Sequence, residues 1–367
     1  MLSCPRACAI LCALLPAWGL PVFQVQAAGP AGLNSSATAI NATGAVVGSY
    51  QQPDGTYRGF LWRDGQVTTL GLPAGAAQAW AAAISGAGQA GGYTDSQTGS
   101  QGQIWDNFGS PLAMVGAYIM GLNDIGDAAG MAIASDGSGY AFVTRNGVVN
   151  GLGQPGGGDW SSANAVNGAG AAAGTAMNAS GSFNAFSASA DGGILLLRAL
   201  GGANSYATAI NSKGSVAGHA QMVSGALNAA VWSGASALGL GTLGGINSYA
   251  YAINAAGQVA GYSDLAGDGG TAAFLLDDGI LYNINGLIGS NSGWQLLAAY
   301  GMNESGQIVG RGIYDGKEQA FLLTPNAPPR ANAAAADSAV PEPMSILLVG
   351  VPLLAYFALR QRRRFWR

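Results

Sequence analysis

The chain has 367 residues, of which 49% are hydrophobic, 9% are charged and 60 are glycine. This apolar fraction is close to the globular average of about 45–50%, whereas the charge content is far below the usual 25% or so, which excludes a coiled coil and a charge-rich disordered chain. Residues 28–339 contain eight basic and 17 acidic residues, a net charge of −9. Because nucleic acid and anionic lipid require a basic surface, neither is expected as a partner of this segment.

Residues 1–27 have the features of a secretory signal peptide. Arg6 lies in a short basic start, an apolar run follows, and Val25 and Ala27 are small residues at the −3 and −1 positions of a cleavage site. We therefore predict cleavage between Ala27 and Ala28. An N-terminal membrane anchor is disfavoured, because two prolines interrupt a run that is shorter than the roughly 20 residues a bilayer requires. All three cysteines lie in this segment, so the mature chain would hold no disulfide and no cysteine-ligated metal.

One phrase recurs seven times along the middle of the chain, for example as AINATGAVVG at 39–48 and AINAAGQVAG at 252–261. Its Asn position falls at Asn41, Ser85, Asn123, Asn167, Asn211, Asn254 and Asn303, a mean spacing of about 44 residues. An aromatic phrase follows each copy about 19 residues later, as in GFLW at 59–62, and a Leu-Gly phrase follows several copies. The array is therefore built from one repeated structural unit.

Each phrase predicts a turn or a strand. Asn-x-x-Gly favours a type I turn, because Asn bonds nearby backbone and Gly accepts positive φ. Asp64-Gly65 and two similar pairs predict tight hairpins. Four short strands per repeat of about 44 residues is the size of a β-propeller blade. We therefore predict an all-β, seven-bladed propeller over residues 28–323, with residues near 28–34 supplying the last strand; an open β-solenoid is the alternative.

The aromatic phrase predicts which side chains fill the blades. Side chains alternate between the two faces of a strand, so equivalent positions of a repeat should be buried alike. The predicted set is Phe60, Trp105, Phe142, Phe186, Val231, Phe274 and Phe321.

The C-terminal part changes character after the array. Residues 324–339 are rich in Ala, Pro and Asn and are predicted to be a flexible linker. Residues 344–359 form an uncharged run of 16 residues, about 24 Å long as a helix, and predict a transmembrane segment. The arginines that follow should stay in the cytoplasm, which places the array across the membrane.

The end of the chain resembles the PEP-CTERM sorting signal. The resemblance covers residues 340–367 and is carried by a Pro-Glu-Pro motif, a short apolar helix and a basic end, namely Val340, Pro341, Glu342, Pro343, Arg360, Arg362, Arg363 and Arg364. It implies recognition by an exosortase, a membrane-bound sorting enzyme of Gram-negative bacteria that make exopolysaccharide, with cleavage near the motif. We therefore expect transient membrane anchoring and then delivery to the cell surface or medium.

The repeats are similar to the HAF family of extracellular repeats, whose members carry AINxxGxVVG and LGxLGG phrases. The similarity spans about residues 33–323 and implies an extracytoplasmic repeat protein without an established reaction. The histidine of the family's His-Ala-Phe triplet is replaced in this chain by Arg58, Tyr140, Asn184, Ala272 or Gln319. No role of that histidine is carried over.

Residues for catalysis are scarce in the array. Its one histidine, His219, is interpreted as an exposed strand residue, because six sister positions are not histidine. A glycan hydrolase needs two carboxylates about 5–10 Å apart, and the glutamates of the array are Glu304 and Glu318. Asp264, Asp268 and Gly269 are weighed as a calcium site, but their spacing does not match a known loop. We predict no catalytic, metal or cofactor site.

The leading hypothesis is a non-enzymatic surface protein that binds or organises exopolysaccharide or matrix protein. Two alternatives stay open. A glycan-active hydrolase or lyase would show clustered acids on one face of the propeller, and a purely structural array would show no concave polar or aromatic site.

Overall fold

The computed structural model describes residues 22–97, 99–114, 116–267 and 269–326. In this part of the chain 28 strands form seven four-stranded antiparallel sheets, and a single 3-10 helix spans Ile284–Gly286. The first strands of neighbouring sheets contact one another in a closed circle. The molecule is therefore a seven-bladed β-propeller, as predicted, and the open solenoid is wrong.

The blades follow one another along the chain. Blade 1 contains β2 (Ser35–Ile40), β3 (Val46–Gln51), β4 (Tyr57–Arg63) and β5 (Gln66–Thr69). Blade 2 contains β6 (Ala76–Ile84), β7 (Ala90–Ser96), β8 (Gly99–Trp105) and β9 (Pro111–Met114). Blade 3 contains β10 (Tyr118–Leu122), β11 (Ala128–Ile133), β12 (Gly139–Arg145) and β13 (Val148–Gly153). Blades 4 and 5 contain β14 (Gly157–Val166), β15 (Ala172–Asn178), β16 (Phe183–Ala188) and β17 (Ile194–Leu197); and β18 (Gly201–Ile210), β19 (Val216–Met222), β20 (Leu227–Trp232) and β21 (Ala237–Gly239). Blade 6 contains β22 (Gly244–Ile253), β23 (Val259–Leu265), β24 (Thr271–Asp277) and β25 (Ile280–Asn283).

Blade 7 combines both ends of the described chain. Its strands β26 (Trp294–Met302), β27 (Ile308–Tyr314) and β28 (Lys317–Pro325) are completed by the first strand, β1 (Phe23–Ala27). The prediction that residues near 28–34 would close the ring is therefore wrong. The folded unit begins before residue 28 and extends past residue 323, into the first two residues of the predicted linker.

The Asn-x-x-Gly phrase forms the predicted turn. In blade 1 the Gly44 N–H donates to the Asn41 carbonyl oxygen over 3.1 Å, and Gly44 has a φ of 83°. The Asn41 side-chain oxygen accepts from the backbone N–H groups of Thr43 and Ala45. At Asp64-Gly65 both residues have positive φ, 47° and 82°, as a type I′ hairpin requires.

The Asn side chains also join neighbouring blades. At five of the seven interfaces the Asn Nδ2 donates over 2.9–3.1 Å to the carbonyl oxygen of the equivalent residue in the next blade, from Asn41 to Ser85, Asn123 to Asn167, Asn167 to Asn211, Asn211 to Asn254 and Asn303 to Asn41. The last of these bonds closes the ring.

A carboxylate lies at each of the two remaining interfaces. Between blades 6 and 7 the Ala255 N–H donates to the Glu304 carboxylate over 3.1 Å. Between blades 2 and 3, where Ser85 replaces the Asn, the Asp124 carboxylate lies against the Gly86 backbone, so that a Cβ on Gly86 would be 2.0 Å from Asp124 Oδ1. Burial raises the pKa of both carboxyl groups. Glu304 therefore links two blades by hydrogen bonds, and Asp124 packs into the interface between two others.

The glycine that ends the repeated phrase is required by a bulge in the first strand. Every first strand shifts its register by one residue against the second strand. A Cβ on the glycine would lie 1.9–2.1 Å from a carbonyl oxygen of the first strand, at Gly48, Gly92, Gly130, Gly174, Gly218, Gly261 and Gly310. Another residue at this position would have to move the backbone of its neighbour.

The prediction for the aromatic strand is confirmed in five blades and corrected in two. The side chains of Phe60, Phe142, Phe186, Phe274 and Phe321 are fully buried. In blades 2 and 5 the equivalent residues by strand pairing are Gln103 and Ala230, so the predicted equivalence of Trp105 and Val231 is wrong. There Trp105 and Trp232, two residues further along, are fully buried and donate their indole N–H groups to carbonyl oxygens at 2.7 and 2.9 Å.

The described residues contain no helix that is long and apolar enough to cross a membrane. The predicted transmembrane segment 344–359, the sorting motif and the linker beyond residue 326 lie outside the described residues.

Candidate ligand-binding site

Seven equivalent cross-strand pairs lie on the inner part of the blades. Each pair joins a first-strand residue to the second-strand residue that follows the required glycine. We call them the inner pairs: Ser36–Ser49, Trp80–Tyr93, Tyr118–Met131, Ser162–Thr175, Tyr206–His219, Tyr249–Tyr262 and Ala298–Arg311. They vary in chemistry although their surroundings repeat.

Four inner pairs contribute to an aromatic belt. In blades 5 and 6 it runs from Tyr206 through His219 and Tyr249 to Tyr262, with ring centroids 4.8–5.0 Å apart. In blades 1 to 3 a second stretch joins the rings of Tyr57, Trp80, Tyr93 and Tyr118 at 4.9–5.6 Å. Such contacts stabilise aromatic groups beyond the area they bury.

A pocket of about 510 Å³ opens where blade 1 interrupts the belt. The inner pair of blade 1 is Ser36–Ser49, so two small side chains stand between the large rings of blade 2 and the Tyr300 side chain of blade 7. Residues of four blades line the pocket: Asn34, Ser35, Ser36, Thr38, Ser49, Gln51, Tyr57, Trp80, Ala81, Ala82, Tyr93, Met120, Tyr300, Arg311 and Glu318. We call it the axial pocket, because first strands line the centre of a propeller.

One wall of the axial pocket is aromatic. The Trp80 ring is half-buried between Tyr93, at 4.9 Å and 14°, and Tyr57, at 5.6 Å and 26°. Tyr57 is the outer end of this stack and is 37% exposed. It therefore presents an aromatic surface at the rim of the pocket.

The opposite wall is polar and internally paired. Arg311 forms a salt bridge with Glu318, and its Nε donates to the Tyr300 hydroxyl over 3.0 Å. The Arg311 and Glu318 side chains are 34% and 44% exposed, so solvent screens the pair. The Glu318 carboxylate compensates the charge of Arg311, the one cation among the residues that line the axial pocket. This wall therefore offers hydrogen-bonding groups without excess charge.

The buried tyrosine hydroxyls of the axial pocket, those of Tyr93 and Tyr300, are neutral at physiological pH. Burial raises the pKa of Tyr93, and burial also raises that of Tyr300 although the nearby Arg311 cation acts in the opposite direction. The Ser36 Oγ is buried and has no hydrogen-bond partner among the described residues. A buried hydroxyl without a partner is unfavourable, so a ligand hydroxyl or a water that reaches it would be stabilised.

A second cavity, of about 850 Å³, lies between loops of blades 3 and 4. Its lining includes the carboxylates Asp136 and Asp159, the amide of Asn178 and the Phe183 ring. Much of the remaining lining is glycine and loop backbone. Two aspartates, Asp136 and Asp159, therefore line one cavity.

The structure corrects the interpretation of His219. The His219 side chain is buried, with 3% exposure, whereas an exposed residue was expected. It lies between the rings of Tyr206 and Tyr249. Its Nδ1 has no hydrogen-bond partner within the described residues. Burial lowers the pKa of His219 to about 3, so the ring is neutral at physiological pH and belongs to the belt.

The other residues considered for chemistry have structural neighbours. Asp264 Oδ2 accepts two hydrogen bonds from Asn247, at 2.9 and 3.1 Å, and Asp268 of the weighed calcium site lies outside the described residues. In the described ranges no three His, Cys, Asp or Glu side chains are grouped to hold a metal ion. The carboxylates Glu304 and Glu318 are separated, one at a blade link and the other in the axial pocket.

Sequence reasoning missed the inner pairs, although a signal for them is visible. The residue directly after the glycine of each repeated phrase differs from copy to copy: Ser49, Tyr93, Met131, Thr175, His219, Tyr262 and Arg311. This position therefore varies between copies while its neighbours repeat. The seven residues lie in the second strands, next to the first strands that line the centre of the propeller.

Comparison with known proteins gives no family. No family model matches the sequence, and no curated protein matches it. TolB from Acinetobacter baumannii is 12% identical with a TM-score of 0.44, over 80% of this chain and 64% of TolB, so this chain spans less than two thirds of that protein. The β-propeller domain of the trilobed protease from Pyrococcus furiosus, which has an open velcro topology, is 11% identical with a TM-score of 0.48, over 83% and 94% of the two chains.

The BP39L lectin from Burkholderia pseudomallei is 12% identical with a TM-score of 0.42, over 82% of this chain and 97% of the lectin. The TM-scores of these three solved structures are all below 0.5, and none of them assigns a function to this chain. The strand pairing within each blade and the bonds that close the ring establish that this chain is a seven-bladed β-propeller.

Proposed function

We propose that this chain is an exported, non-enzymatic propeller that binds a glycan of the extracellular matrix in the axial pocket. The observation that carries the proposal is the combination of an exposed aromatic end, Tyr57, with uncharged hydrogen-bonding groups around one concave site. The C–H face of a sugar ring is apolar and packs on aromatic rings, whereas its hydroxyls need polar partners at the edge.

The charges of the axial pocket favour an uncharged sugar. Arg311 is the cation of the lining set, and Glu318 already compensates it. A uronate would have to displace Glu318 from Arg311 to gain an ion pair. Sugar hydroxyls, in contrast, can bond to the Ser36 hydroxyl and to the side chains of Asn34 and Gln51 without breaking the salt bridge.

Binding without turnover follows from the acids available in the axial pocket. Glycoside hydrolysis needs one carboxyl group as acid and a second as base or nucleophile. The lining set contains one carboxylate, that of Glu318, and Arg311 holds it. A hydrolase or lyase acting in the second cavity, on Asp136 and Asp159, is the competing function and is tested in parallel.

Export and sorting complete the proposal. The N-terminal leader, the Pro-Glu-Pro motif and the C-terminal arginines support delivery across the inner membrane and release by an exosortase-type enzyme. Such delivery would bring the axial pocket into contact with exopolysaccharide. A protein that organises the matrix without binding glycan is the structural alternative.

The test is glycan binding by the purified protein and by its Tyr57→Ala variant. A glycan array and the host's own exopolysaccharide serve as probes, with titration calorimetry for the affinity and reducing-end release for turnover. Removal of the Tyr57 ring should weaken glycan binding about tenfold, equivalent to about 1.4 kcal/mol. If the wild type releases reducing ends and either Asp136→Asn or Asp159→Asn abolishes this release, the chain is an enzyme.

Tyr314→Ala is the matched control. Tyr314 is 40% exposed and stacks on Trp294 at 4.9 Å and 22°, so it too is the exposed end of a Tyr–Trp stack, but it lies outside the axial pocket. The control should bind as the wild type does. Equal losses in both variants, or no binding by the wild type to any glycan, would refute the proposed site.

A further inference from the structure

We propose that the leader is removed N-terminal to Val22, at the bond between Gly19 and Leu20, so that β1 remains in the mature protein. This inference rests on the proposed export and replaces the cleavage after Ala27 that the local sequence pattern suggests. Hydrolysis at this bond would consume one water and leave a carboxylate on Gly19 and an amine on Leu20.

The first observation is that β1 is a full strand of blade 7. All five of its residues pair with β28, from Phe23 opposite Pro325 to Ala27 opposite Phe321. Phe23 is 4% exposed, packs in one hydrophobic cluster with Ile284 and Leu287, and donates its N–H to the Leu287 carbonyl oxygen over 2.9 Å. Cleavage after Ala27 would remove this strand and leave the edge of β28 unpaired.

The second observation is an internal repeat that the local pattern hides. The segment QVQAAG at 24–29 corresponds to QVTTLG at 66–71, which holds the outer strand of blade 1 and its Leu-Gly phrase. The Leu70 N–H donates to the Gly59 carbonyl oxygen over 2.9 Å, and the Ala28 N–H donates to that of Ala320 over the same distance.

The two acceptors are themselves equivalent. Gly59 and Ala320 each pair with the second member of an inner pair, Ser49 or Arg311. Ala28 is fully buried, as Leu70 nearly is. The bond after Ala27 therefore lies inside a blade unit and not at its border.

The sequence offers a cleavage site outside the blade. Ala17 and Gly19 supply small residues at −3 and −1 and come just after the uninterrupted part of the apolar run, which ends at Leu15 before Pro16, whereas Ala27 lies 12 residues beyond Leu15. A signal peptide ends in such a small-x-small site after its apolar region. Val22, the first described residue, is 50% exposed and begins the folded unit.

The experiment determines the mature N-terminus by mass spectrometry for three full-length chains expressed in the producing host: the wild type, Gly19→Tyr and Ala27→Tyr. A bulky residue at −1 blocks signal cleavage at that site. Ala27 is exposed in β1, so tyrosine there is compatible with the fold. Wild type and Ala27→Tyr should both start at Leu20, and Gly19→Tyr should accumulate as the precursor.

The outcomes separate the two proposals. An exported wild type that starts at Ala28, with processing lost in Ala27→Tyr and retained in Gly19→Tyr, overturns the inference and leaves export intact. A wild type that keeps Met1 and stays in the cytoplasm overturns export itself, and the inference with it.

Discussion

The same residue type serves two purposes in the repeated turns. The Asn41 side-chain oxygen holds its own turn, while its Nδ2 donates to the Ser85 carbonyl oxygen of the next blade. The first role is local and the second depends on the ring. Where Ser85 replaces the Asn, the Asp124 carboxylate of blade 3 lies against the Gly86 backbone. At the other six interfaces a polar side chain forms a hydrogen bond between these turns.

The buried histidine predicts a pH-dependent stability. Folding lowers the pKa of His219 from 6.5 to about 3 by burial, so below about pH 6.5 the unfolded chain binds a proton that the folded chain does not. Above about pH 6.5 His219 does not lower the free energy of unfolding. Between pH 6.5 and pH 3 this free energy should fall by about 1.4 kcal/mol for each pH unit. At pH 5 the loss from this residue is about 2 kcal/mol.

Urea unfolding of the wild type and His219→Met at pH 7.5 and pH 5.0 measures this loss. Methionine occupies the same position in blade 3, as Met131, and does not titrate. The neighbouring rings of Tyr206 and Tyr249 have raised pKa values and stay protonated in this range. The wild type should lose about 2 kcal/mol more than the variant between the two pH values; parallel losses would show that His219 is accessible to protons in the folded state.

Every blade buries a large aromatic side chain in its third strand, either opposite the required glycine or two residues further along. Five blades place a phenylalanine opposite the required glycine, whereas blades 2 and 5 place Gln103 and Ala230 there. In those two blades a buried tryptophan two residues later, Trp105 or Trp232, points to the same face of the strand. The core of a blade is thus filled in two different ways, as close packing requires.

This exchange can be tested in blade 6. Phe274 is fully buried, so Phe274→Ala should lower the free energy of unfolding by about 3–5 kcal/mol. Adding Leu276→Trp copies the Ala230 and Trp232 arrangement of blade 5 and should recover part of the loss. Chemical denaturation of the single and double variants gives both values. A single-variant loss below about 1 kcal/mol would contradict the burial of Phe274.

The whole molecule is a ring closed by residues far apart in the chain. Asn303 bonds to Asn41, and β1 pairs with β28, so both ends of the described chain meet in blade 7. Closure packs the apolar faces of blades 1 and 7 against each other in one buried cluster, and β1 pairs with the edge of β28. An open array would expose both the faces and this edge. Closure also places both ends of the propeller in one blade, with the predicted sorting signal following from there.

The proposed sorting predicts that Glu342→Ala blocks release. The residue belongs to the Pro-Glu-Pro motif outside the described residues, so the variant should keep the propeller and remain as the full-length membrane-bound form. Immunoblots of membrane and medium fractions compare wild type, variant and a host strain that lacks the sorting enzyme. Glu304→Gln, at a blade link, is a control for loss of one carboxylate and should be released. Identical patterns in all strains would indicate a plain membrane anchor.

Much of the fold was predictable because its information is local. The spacing of Asn41 and its six equivalents gives the number of blades, and Asn-x-x-Gly and Asp64-Gly65 give the turns, since backbone preference alone selects these residues. The register was less predictable. Trp105 and Val231 were misplaced because the aromatic pattern does not show which residue faces the required glycine.

The repeat, the all-β class and the small number of candidate catalytic side chains can be read from the order of the residues. The folded ring was needed to show that Phe23–Ala27 closes blade 7, that His219 is buried and that small inner residues of blade 1 leave a pocket beside Trp80 and Arg311. The two kinds of information differ in how far apart along the chain the contacting residues lie. Turns depend on neighbouring residues, whereas closure, burial and the axial pocket depend on contacts between blades that only the complete ring brings together.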